Sequence, residues 1–268
     1  MFDKLGGKGF KVAVIGDLIL DRYMWGDCTR VSPEAPVQII DIKKNSFVLG
    51  GCGNVAANLS SLGVQVYLYS VVGNDSSGEI LKELLIDKSI DNSNLIVDKK
   101  RKSSEKTRLI ASGQQVIRFD IEERKTIIKP ISDELITSFK KQFTQEEISA
   151  VIISDYGKGV LSDQLLTEII RFSKSRYVPI FCDPKGFDFE KYKGCTAITP
   201  NKKEASIASG VDIVDNDSLY EAGNKLLIDC QLDFLIITLS EQGMALFYKN
   251  EFTILPTKAR DVFDVSGA

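Results

Sequence analysis

Six short apolar runs, separated by segments with helical spacing, constrain the fold of this chain more than any other feature. The runs cover residues 11–15, 64–72, 150–153, 178–182, 197–199 and 234–238, and apolar residues recur at i, i+3 or i+4 between them. A continuous apolar run of this length is typical of a parallel strand that is buried on both faces. The alternation therefore predicts a mainly parallel sheet with helices on both of its faces.

Two segments interrupt this alternation. Residues 20–50 and 94–121 contain period-two patterns, which are typical of antiparallel strands with one exposed face. Two insertions that follow the first two parallel strands can join into a small β-sheet over the ligand crevice. We therefore expect one domain over residues 1–268, with a lid formed by residues 20–50 and 94–121.

Composition excludes several classes of function. The chain has 268 residues and no histidine, which excludes Ser-His-Asp triads and HExxH metal sites. Its net charge of −3 provides no overall basic field for nucleic acid. No apolar run is long enough to span a membrane, and no signal peptide precedes the first strand. Five scattered cysteines without a CxxC pair favour free thiols, so we expect a cytoplasmic protein.

Polar residues follow the first strand and the first insertion. Asp17 closes the first apolar run, where a carboxylate at the crevice can accept hydrogen bonds from sugar hydroxyls. The stretch GGCGNVAAN, residues 50–58, includes Gly51 and Asn54 and leads into a helix whose N–H groups can meet a ligand. It follows an insertion and not the first strand, so the dinucleotide-binding fingerprint is absent. The alternative for Asp17 is a helix cap, and the alternative for residues 50–58 is a glycine-rich turn that only packs closely.

The second insertion carries Lys106, Arg108, Gln115 and Arg118. Paired guanidinium groups suit bidentate binding of a phosphate group. The alternative is an edge strand that charged side chains protect from aggregation.

Two further polar clusters follow later strands. SDYGKG, residues 154–159, contains Asp155 and Lys158, and DPK, residues 183–185, contains Lys185. Lysines at strand ends can bind phosphates as point charges. The alternative is that both stretches are turns.

The stretch Asn201-Lys202-Lys203-Glu204 opens a helix. Asn201 and Glu204 have the spacing of a capping box, and Glu204 could equally organise the water shell of Mg²⁺. A loop with Thr238, Ser240 and Gly243 follows the last buried run.

Taken together, these residues resemble the PfkB, or ribokinase-like, carbohydrate kinases from about residue 12 to residue 268. Within that family the chain looks most like the heptose 7-phosphate kinases. The resemblance rests on GDLILDRYMWGDCTRVSPEAPV at 16–37, EKTRLIASGQQVIRFD at 105–120, SDYGKG, DPK and TPNKKE. It implies a three-layer α/β/α sandwich with a β lid, and a homodimer formed through that lid.

The resemblance also implies a reaction and its residues. The expected reaction is ATP-dependent phosphorylation of D-glycero-β-D-manno-heptose 7-phosphate at its anomeric hydroxyl, for ADP-heptose and lipopolysaccharide biosynthesis. Sugar-phosphate binding is expected from Asp17, Asp21, Gly51, Asn54, Lys106, Arg108, Gln115, Arg118, Asp155 and Lys158. ATP and Mg²⁺ binding is expected from Lys185, Asn201, Lys202, Lys203, Glu204, Thr238, Ser240 and Gly243. Asp264 and Ser266 match a site that holds a monovalent cation such as K⁺ in some members.

The last two residues match the beginning of the family's Gly-Ala-Gly-Asp motif. Gly267 and Ala268 would begin an anion hole, and the general base is the aspartate expected just after them. Residues 1–268 alone are therefore expected to be inactive. The alternatives are another PfkB sugar kinase and a non-catalytic sugar-phosphate-binding segment.

Overall fold

The computed structural model describes residues 9–249 and 251–257. Its strands, in chain order, are β1 Lys11–Gly16, β2 Leu18–Val31, β3 Gln38–Gly51, β4 Gln65–Gly73, β5 Asp91–Asp98, β6 Ser104–Ala111, β7 Gln114–Ile121, β8 Ala150–Ser154, β9 Ile180–Asp183, β10 Ala197–Ile198, β11 Phe234–Thr238, β12 Met244–Tyr248 and β13 Glu251–Leu255. The helices are α1 Cys52–Ser61, α2 Ser76–Asp87, α3 Lys129–Gln145, α4 Asp163–Ser175, α5 Lys202–Ser209 and α6 Asn216–Asp229.

The main sheet has the order β13-β12-β11-β10-β9-β8-β1-β4-β5 in the described part of the chain. Its strands pair in parallel from β5 through to β11, and β12 and β13 are antiparallel. This confirms the predicted mainly parallel sheet. The register aligns Gly16 with Ser154, and Ser154 with Asp183. The residues after β1 and β8 therefore lie beside the last residue of β9, at one edge of the sheet.

The central strand β1 shows why the apolar runs are continuous. Ala13 and Ile15 are fully buried in a core that includes side chains of α3, α4, α5 and α6. Val12 and Val14 lie in a second core with side chains of α1 and α2. Alternate residues of a strand point to opposite faces, so helices on both faces require apolar residues at every position.

A small sheet with the order β3-β2-β6-β7 forms from the two insertions. β2 pairs antiparallel with β3, and β6 with β7, but β2 and β6 are parallel, with Asp21 beside Lys106. The expectation of purely antiparallel pairing was therefore wrong for the central pair.

The boundary of the second insertion also differs from the expectation. Residues 94–98 belong to β5, which pairs in parallel with β4 in the main sheet. After β3, the next strand along the chain that belongs to the small sheet is β6. β5 is an edge strand of the main sheet and is partly exposed, so its polar alternation resembles that of the small sheet.

Two observations concern the state of the cysteines and the search for a membrane-spanning helix. The five cysteines are free thiols: Cys28 is half-buried, and Cys52, Cys182, Cys195 and Cys230 are buried. Among residues 9–249 and 251–257, no helix has both the length and the apolar character needed to cross a membrane.

Candidate active site

Asp17 anchors the loop that follows β8. Its side chain is 1% exposed, and its carboxylate accepts hydrogen bonds from the backbone N–H groups of Tyr156 at 2.9 Å, Lys158 at 3.0 Å and Val160 at 3.1 Å. Burial raises the pKa of Asp17, and these three hydrogen bonds oppose that rise. In the structure this carboxylate holds the loop after β8. The contact with sugar hydroxyls that the sequence predicts stays a prediction.

Gly51 connects β3 to α1 under a strict steric limit. Its φ is 58°, and a Cβ there would lie 2.2 Å from the backbone oxygen of Asp17. The same oxygen accepts a hydrogen bond from the Cys52 N–H at 3.0 Å. Only glycine fits this approach. Cys52 is the first residue of α1, so this hydrogen bond ties the start of α1 to the residue that follows β1. Asn54 lies in the first turn of the same helix.

Asp21 and Arg108 form an ion pair on the small sheet. Arg108 Nη1 lies 2.5 Å from Asp21 Oδ1, and the two side chains are 12% and 18% exposed. The Arg108 guanidinium also lies over the ring of Tyr23, 5.2 Å from its centroid. A Cβ on Gly50 would lie 2.1 Å from Asp21 Oδ2, so glycine at this position makes room for the carboxylate.

Lys106 lies beside this pair and faces the main sheet. Its Nζ is 5.4 Å from the ring centroid of Tyr156, in the loop after β8. No carboxylate of the described residues lies within ion-pair distance of Lys106. Burial lowers the pKa of Lys106, although the nearby Asp21 opposes that shift. We call the space between the small sheet and the carboxyl ends of β1, β8 and β9 the crevice.

The residues predicted on β7 are more exposed. Arg118 is opposite Arg108 in the sheet, but its side chain is 51% exposed and pairs with Asp120 at 3.1 Å. Gln115 is exposed opposite Ile110. The structure thus separates Arg108, which is held in the crevice, from Arg118, which is exposed as the edge-strand alternative expects.

Asp155 and Lys158, both predicted to bind sugar, make internal contacts. Asp155 Oδ2 accepts hydrogen bonds from the Tyr192 hydroxyl at 2.6 Å and Lys191 Nζ at 2.7 Å. Asp155 Oδ1 accepts from the Gly157 N–H at 2.8 Å, as the turn alternative expects. The Lys158 ammonium forms an ion pair with Glu122, at the end of the small sheet.

Sequence reasoning missed Arg101. This residue is 8% exposed, and its guanidinium donates to the backbone oxygens of Lys125 at 2.8 Å, Glu123 at 3.2 Å and Lys158. It ties the chain leaving the small sheet to the loop after β8. Arg101 lies in the run KKRK, residues 99–102, which resembles a solvated charged turn, so the sequence carried no signal for its burial.

At the start of α5, the capping box that the sequence predicted is present. The Glu204 N–H donates to Asn201 Oδ1 at 2.9 Å, and the Asn201 N–H donates to Glu204 Oε2 at 3.1 Å. Lys185 Nζ donates to the other carboxylate oxygen of Glu204 at 2.7 Å. The structure therefore brings Lys185, Asn201 and Glu204 together.

Asp183, the last residue of β9, lies in the electrostatic field of Glu204. Burial, followed by the negative charge of Glu204, raises the pKa of Asp183 to about 6, and Lys185 opposes the rise. Two carboxylates that repel each other can be stabilised by a cation. Mg²⁺ is commonly held by one or two carboxylates, several waters and the substrate phosphates, so the pair suits it. The described residues contain no group of three or more acidic or cysteine side chains placed to hold a metal on their own.

The loop after β11 lies next to α5. The Thr238 N–H donates to the oxygen of Pro200 at 3.0 Å, and Thr238 forms a parallel bridge with Asn201. Ser240 begins a 3-10 helix, Ser240–Gln242, and Gly243 has a φ of 102°. An open cavity of about 560 Å³ is lined on one side by α5 and its cap and on the other by Ser240, with Asn201, Lys202 and Lys203 among its residues.

The remaining predicted residues, Asp264, Ser266, Gly267 and Ala268, lie outside the described part of the chain. The cation site and the expected anion hole stay predictions.

Two sets of polar side chains thus meet at one edge of the main sheet. Asp21, Lys106 and Arg108 lie on the small-sheet side, and Asp183 and Glu204 lie on the α5 side. Carboxylates and cations on the first side can bind hydroxyl and phosphate groups, and the second side can hold a cation with its phosphates.

Comparison with known proteins decides the family. The family model described as "pfkB family carbohydrate kinase" matches residues 10–268 of this chain.

The chain belongs to the pfkB family of carbohydrate kinases.

Curated relatives of this pfkB chain cover almost all of it. It is 47% identical over 264 residues to "Bifunctional protein HldE" of Helicobacter hepaticus, which covers 98% of the chain and 54% of the relative. It is 49% identical over 257 residues to the protein of the same name from Aliarcobacter butzleri, covering 96% of the chain and 53% of the relative. The chain spans about half the length of these relatives.

Solved structures show the ribokinase-like α/β fold. Arabidopsis thaliana ribokinase complexed with ribose and ATP matches with a TM-score of 0.69 and 17% identity, over 95% of this chain and 80% of that one. Escherichia coli phosphofructokinase-2 in complex with potassium matches with a TM-score of 0.73 and 18% identity, over 94% and 79%. At these identities the likeness concerns the fold alone.

Proposed function

We propose that the protein containing this chain phosphorylates D-glycero-β-D-manno-heptose 7-phosphate at its anomeric hydroxyl, with ATP as the donor. The observation that carries the proposal is the Asp21–Arg108 pair with Lys106 beside it, at the crevice of a pfkB fold. A carboxylate and two cations suit an acceptor that has both hydroxyl groups and a phosphate. The similarity to the HldE proteins and the motifs at residues 16–37 and 105–120 support the choice of a heptose phosphate.

On the acceptor side, Asp21 would accept hydrogen bonds from sugar hydroxyls, and Lys106 and Arg108 would bind the 7-phosphate. Asn54, at the start of α1, would contribute an amide contact. Asp17, Asp155 and Lys158 would support these residues from behind, because both oxygens of each carboxylate and the lysine ammonium are bonded within the protein. Gly51 would shape the turn that leads into α1. Gln115 and Arg118 would contact only a ligand that reaches the edge of the small sheet.

On the donor side, ATP would lie along α5 and the loop after β11. Lys185, Lys202 and Lys203 supply positive charge, and Thr238, Ser240 and Gly243 shape the loop beside them. Asp183 and Glu204 would hold Mg²⁺ through its water shell. The bound ion would neutralise charge on the phosphate oxygens. The aspartate expected after Ala268 would take the proton of the acceptor hydroxyl.

Three further features belong to the proposal. Asp264 and Ser266 would hold K⁺, a cation that is present in the phosphofructokinase-2 structure. A homodimer would form through the small sheet, where exposed apolar side chains on β7 include Ile117, Phe119 and Ile121. The reaction would take place in the cytoplasm and feed the synthesis of ADP-heptose for lipopolysaccharide.

The full-length protein tests this proposal with a panel of acceptors. ADP release is measured with heptose 7-phosphate, the unphosphorylated heptose, fructose 6-phosphate and ribose, each with ATP and Mg²⁺. We expect the highest kcat/KM for heptose 7-phosphate and a much lower value for the unphosphorylated heptose. A preference for an unphosphorylated sugar would overturn the proposal.

A further inference from the structure

Tyr156 lies between the two sets of side chains at the crevice and belongs to neither of them. Its backbone N–H donates to Asp17 Oδ2 at 2.9 Å, which fixes the residue at the end of the main sheet. The loop is held again at Lys158 and Val160 by the same carboxylate. A side chain on so firmly held a backbone is well suited to position a ligand.

Charged groups on both sides of the crevice act on the Tyr156 phenol. Burial raises its pKa to about 12, and the carboxylates of Asp183, Asp21 and Glu204 act in the same direction. The phenol is therefore protonated at neutral pH and can donate a hydrogen bond. The charges that act on the phenol thus belong to Asp21 on the proposed acceptor side and to Asp183 and Glu204 on the proposed donor side.

The phenol oxygen has no hydrogen-bond partner among residues 9–249 and 251–257, and the side chain is half-buried. The nearby Tyr192 differs, because its hydroxyl donates to Asp155 at 2.6 Å. A half-buried phenol that protein groups leave unpaired can bind the polar groups of a ligand.

The ring of Tyr156 also holds Lys106. The Lys106 ammonium lies 5.4 Å from the ring centroid and has no ion-pair partner among the described residues. An aromatic face attracts a cation without neutralising its charge. The ammonium is thus held at the crevice and stays available to an anionic group.

We propose that Tyr156 binds the acceptor: its hydroxyl hydrogen-bonds a hydroxyl group of the sugar phosphate, and its ring keeps Lys106 directed at the same ligand. This inference rests on the proposed function, because it assumes a phosphorylated sugar in the crevice. It assigns no contact with ATP to Tyr156.

Steady-state kinetics of the full-length protein test the assignment. The substitution Tyr156→Phe removes the hydroxyl and keeps the ring, and Tyr156→Leu removes both. The control Tyr220→Phe removes the hydroxyl of a partly exposed tyrosine on α6 that packs against Phe252. Each variant is assayed with the sugar phosphate that the wild-type enzyme uses best, so the result does not depend on that sugar being a heptose.

For Tyr156→Phe we expect the KM for the sugar phosphate to rise about three- to tenfold, the effect of one neutral hydrogen bond. The KM for ATP and the melting temperature should stay at wild-type values. Tyr156→Leu should raise the acceptor KM further, and adding Lys106→Met to it should cost less than the product of the two single effects. Tyr220→Phe should match the wild type.

Three results would contradict these expectations, and each excludes something different. A wild-type enzyme that phosphorylates no sugar phosphate overturns the proposed function and this inference with it. An enzyme active on a sugar phosphate in which Tyr156→Phe behaves like Tyr220→Phe overturns the inference alone. An equal rise in the KM for ATP and for the sugar phosphate would also contradict the inference, because it would place Tyr156 at a contact that both substrates share.

Discussion

Asp183 at the end of β9 and Glu204 in the first turn of α5 repel each other, and this repulsion adds to burial in raising the pKa of Asp183 to about 6. The two carboxylates belong to elements that are separated in sequence and brought together at the carboxyl edge of the sheet. Such a pair costs free energy in the absence of a cation, and the same repulsion favours binding of a divalent ion.

The raised pKa of Asp183 predicts a pH-dependent stability. The unfolded side chain loses its proton near pH 4 and the folded one near pH 6, so stability falls as pH rises through this window. Asp183→Asn should therefore stabilise the protein at pH 7.5 without Mg²⁺, by about 1–3 kcal/mol, and have little effect at pH 4. Denaturant unfolding measures the difference. Asp87→Asn, at an exposed site on α2, is the control, and an equal effect of Asp183→Asn at both pH values would count against the raised pKa.

The substitution Glu204→Gln distinguishes the role of Glu204 in capping α5 from its proposed role in holding Mg²⁺. Glutamine can still accept the hydrogen bond from the Asn201 N–H. The lost ion pair with Lys185 should cost at most about 1 kcal/mol, because the lysine side chain is 52% exposed. We expect a near-normal melting temperature, a 10- to 100-fold decrease in kcat, roughly the effect of disturbing a metal site, and partial recovery at high Mg²⁺. Normal turnover with a lowered melting temperature would leave only the capping role.

Arg108 and Arg118 should differ in their effect on the acceptor. Arg108→Met leaves Asp21 without its partner in a partly buried site, and should weaken sugar-phosphate binding by about 2–5 kcal/mol. Arg118→Met should have a smaller effect, because that side chain is 51% exposed. Calorimetric titration with sugar phosphate and, separately, with ATP measures both. Arg171→Met, on the exposed face of α4, is the control, and equal losses for both ligands in Arg108→Met would indicate a folding defect.

Asp17→Asn tests whether Asp17 supports the loop or touches the sugar. Asparagine keeps one acceptor oxygen and directs an NH₂ group at an N–H, so the protein should lose about 2–4 kcal/mol of stability. Hydrogen exchange should accelerate at the amides of Tyr156, Lys158 and Val160, which donate to this carboxylate. Loss of sugar binding with unchanged exchange in this loop would instead make Asp17 a direct contact.

Much of the fold could be predicted from the sequence because burial on both faces leaves a strong pattern. A short apolar run between segments of helical spacing, such as residues 12–15, is typical of a parallel strand that helices cover on both faces. β5 could not be assigned in this way, because an edge strand is exposed and carries polar residues like those of the small sheet. Edge position is a property of the assembled sheet.

The site shows the same limit. Asp17 and Asp21 are both acidic residues near the end of β1, and the sequence gives no reason to separate them. Only the folded chain shows that the loop after β8 covers Asp17 and that Arg108 pairs with Asp21. Arg101 reaches Lys158 across 57 positions of the sequence, so its role depends on tertiary structure alone.

Phosphorus NMR of the reaction product shows which hydroxyl group of the sugar phosphate receives the phosphoryl group. The full-length protein is incubated with heptose 7-phosphate, ATP and Mg²⁺, and proton coupling to the phosphorus nuclei identifies the carbon that carries each phosphate. If the enzyme phosphorylates the anomeric hydroxyl, one new phosphomonoester signal coupled to the anomeric proton will form, with the 7-phosphate signal retained and one ADP formed for each product molecule. A new phosphate on any other carbon, or ADP formation without a new sugar phosphate, would contradict the proposed function.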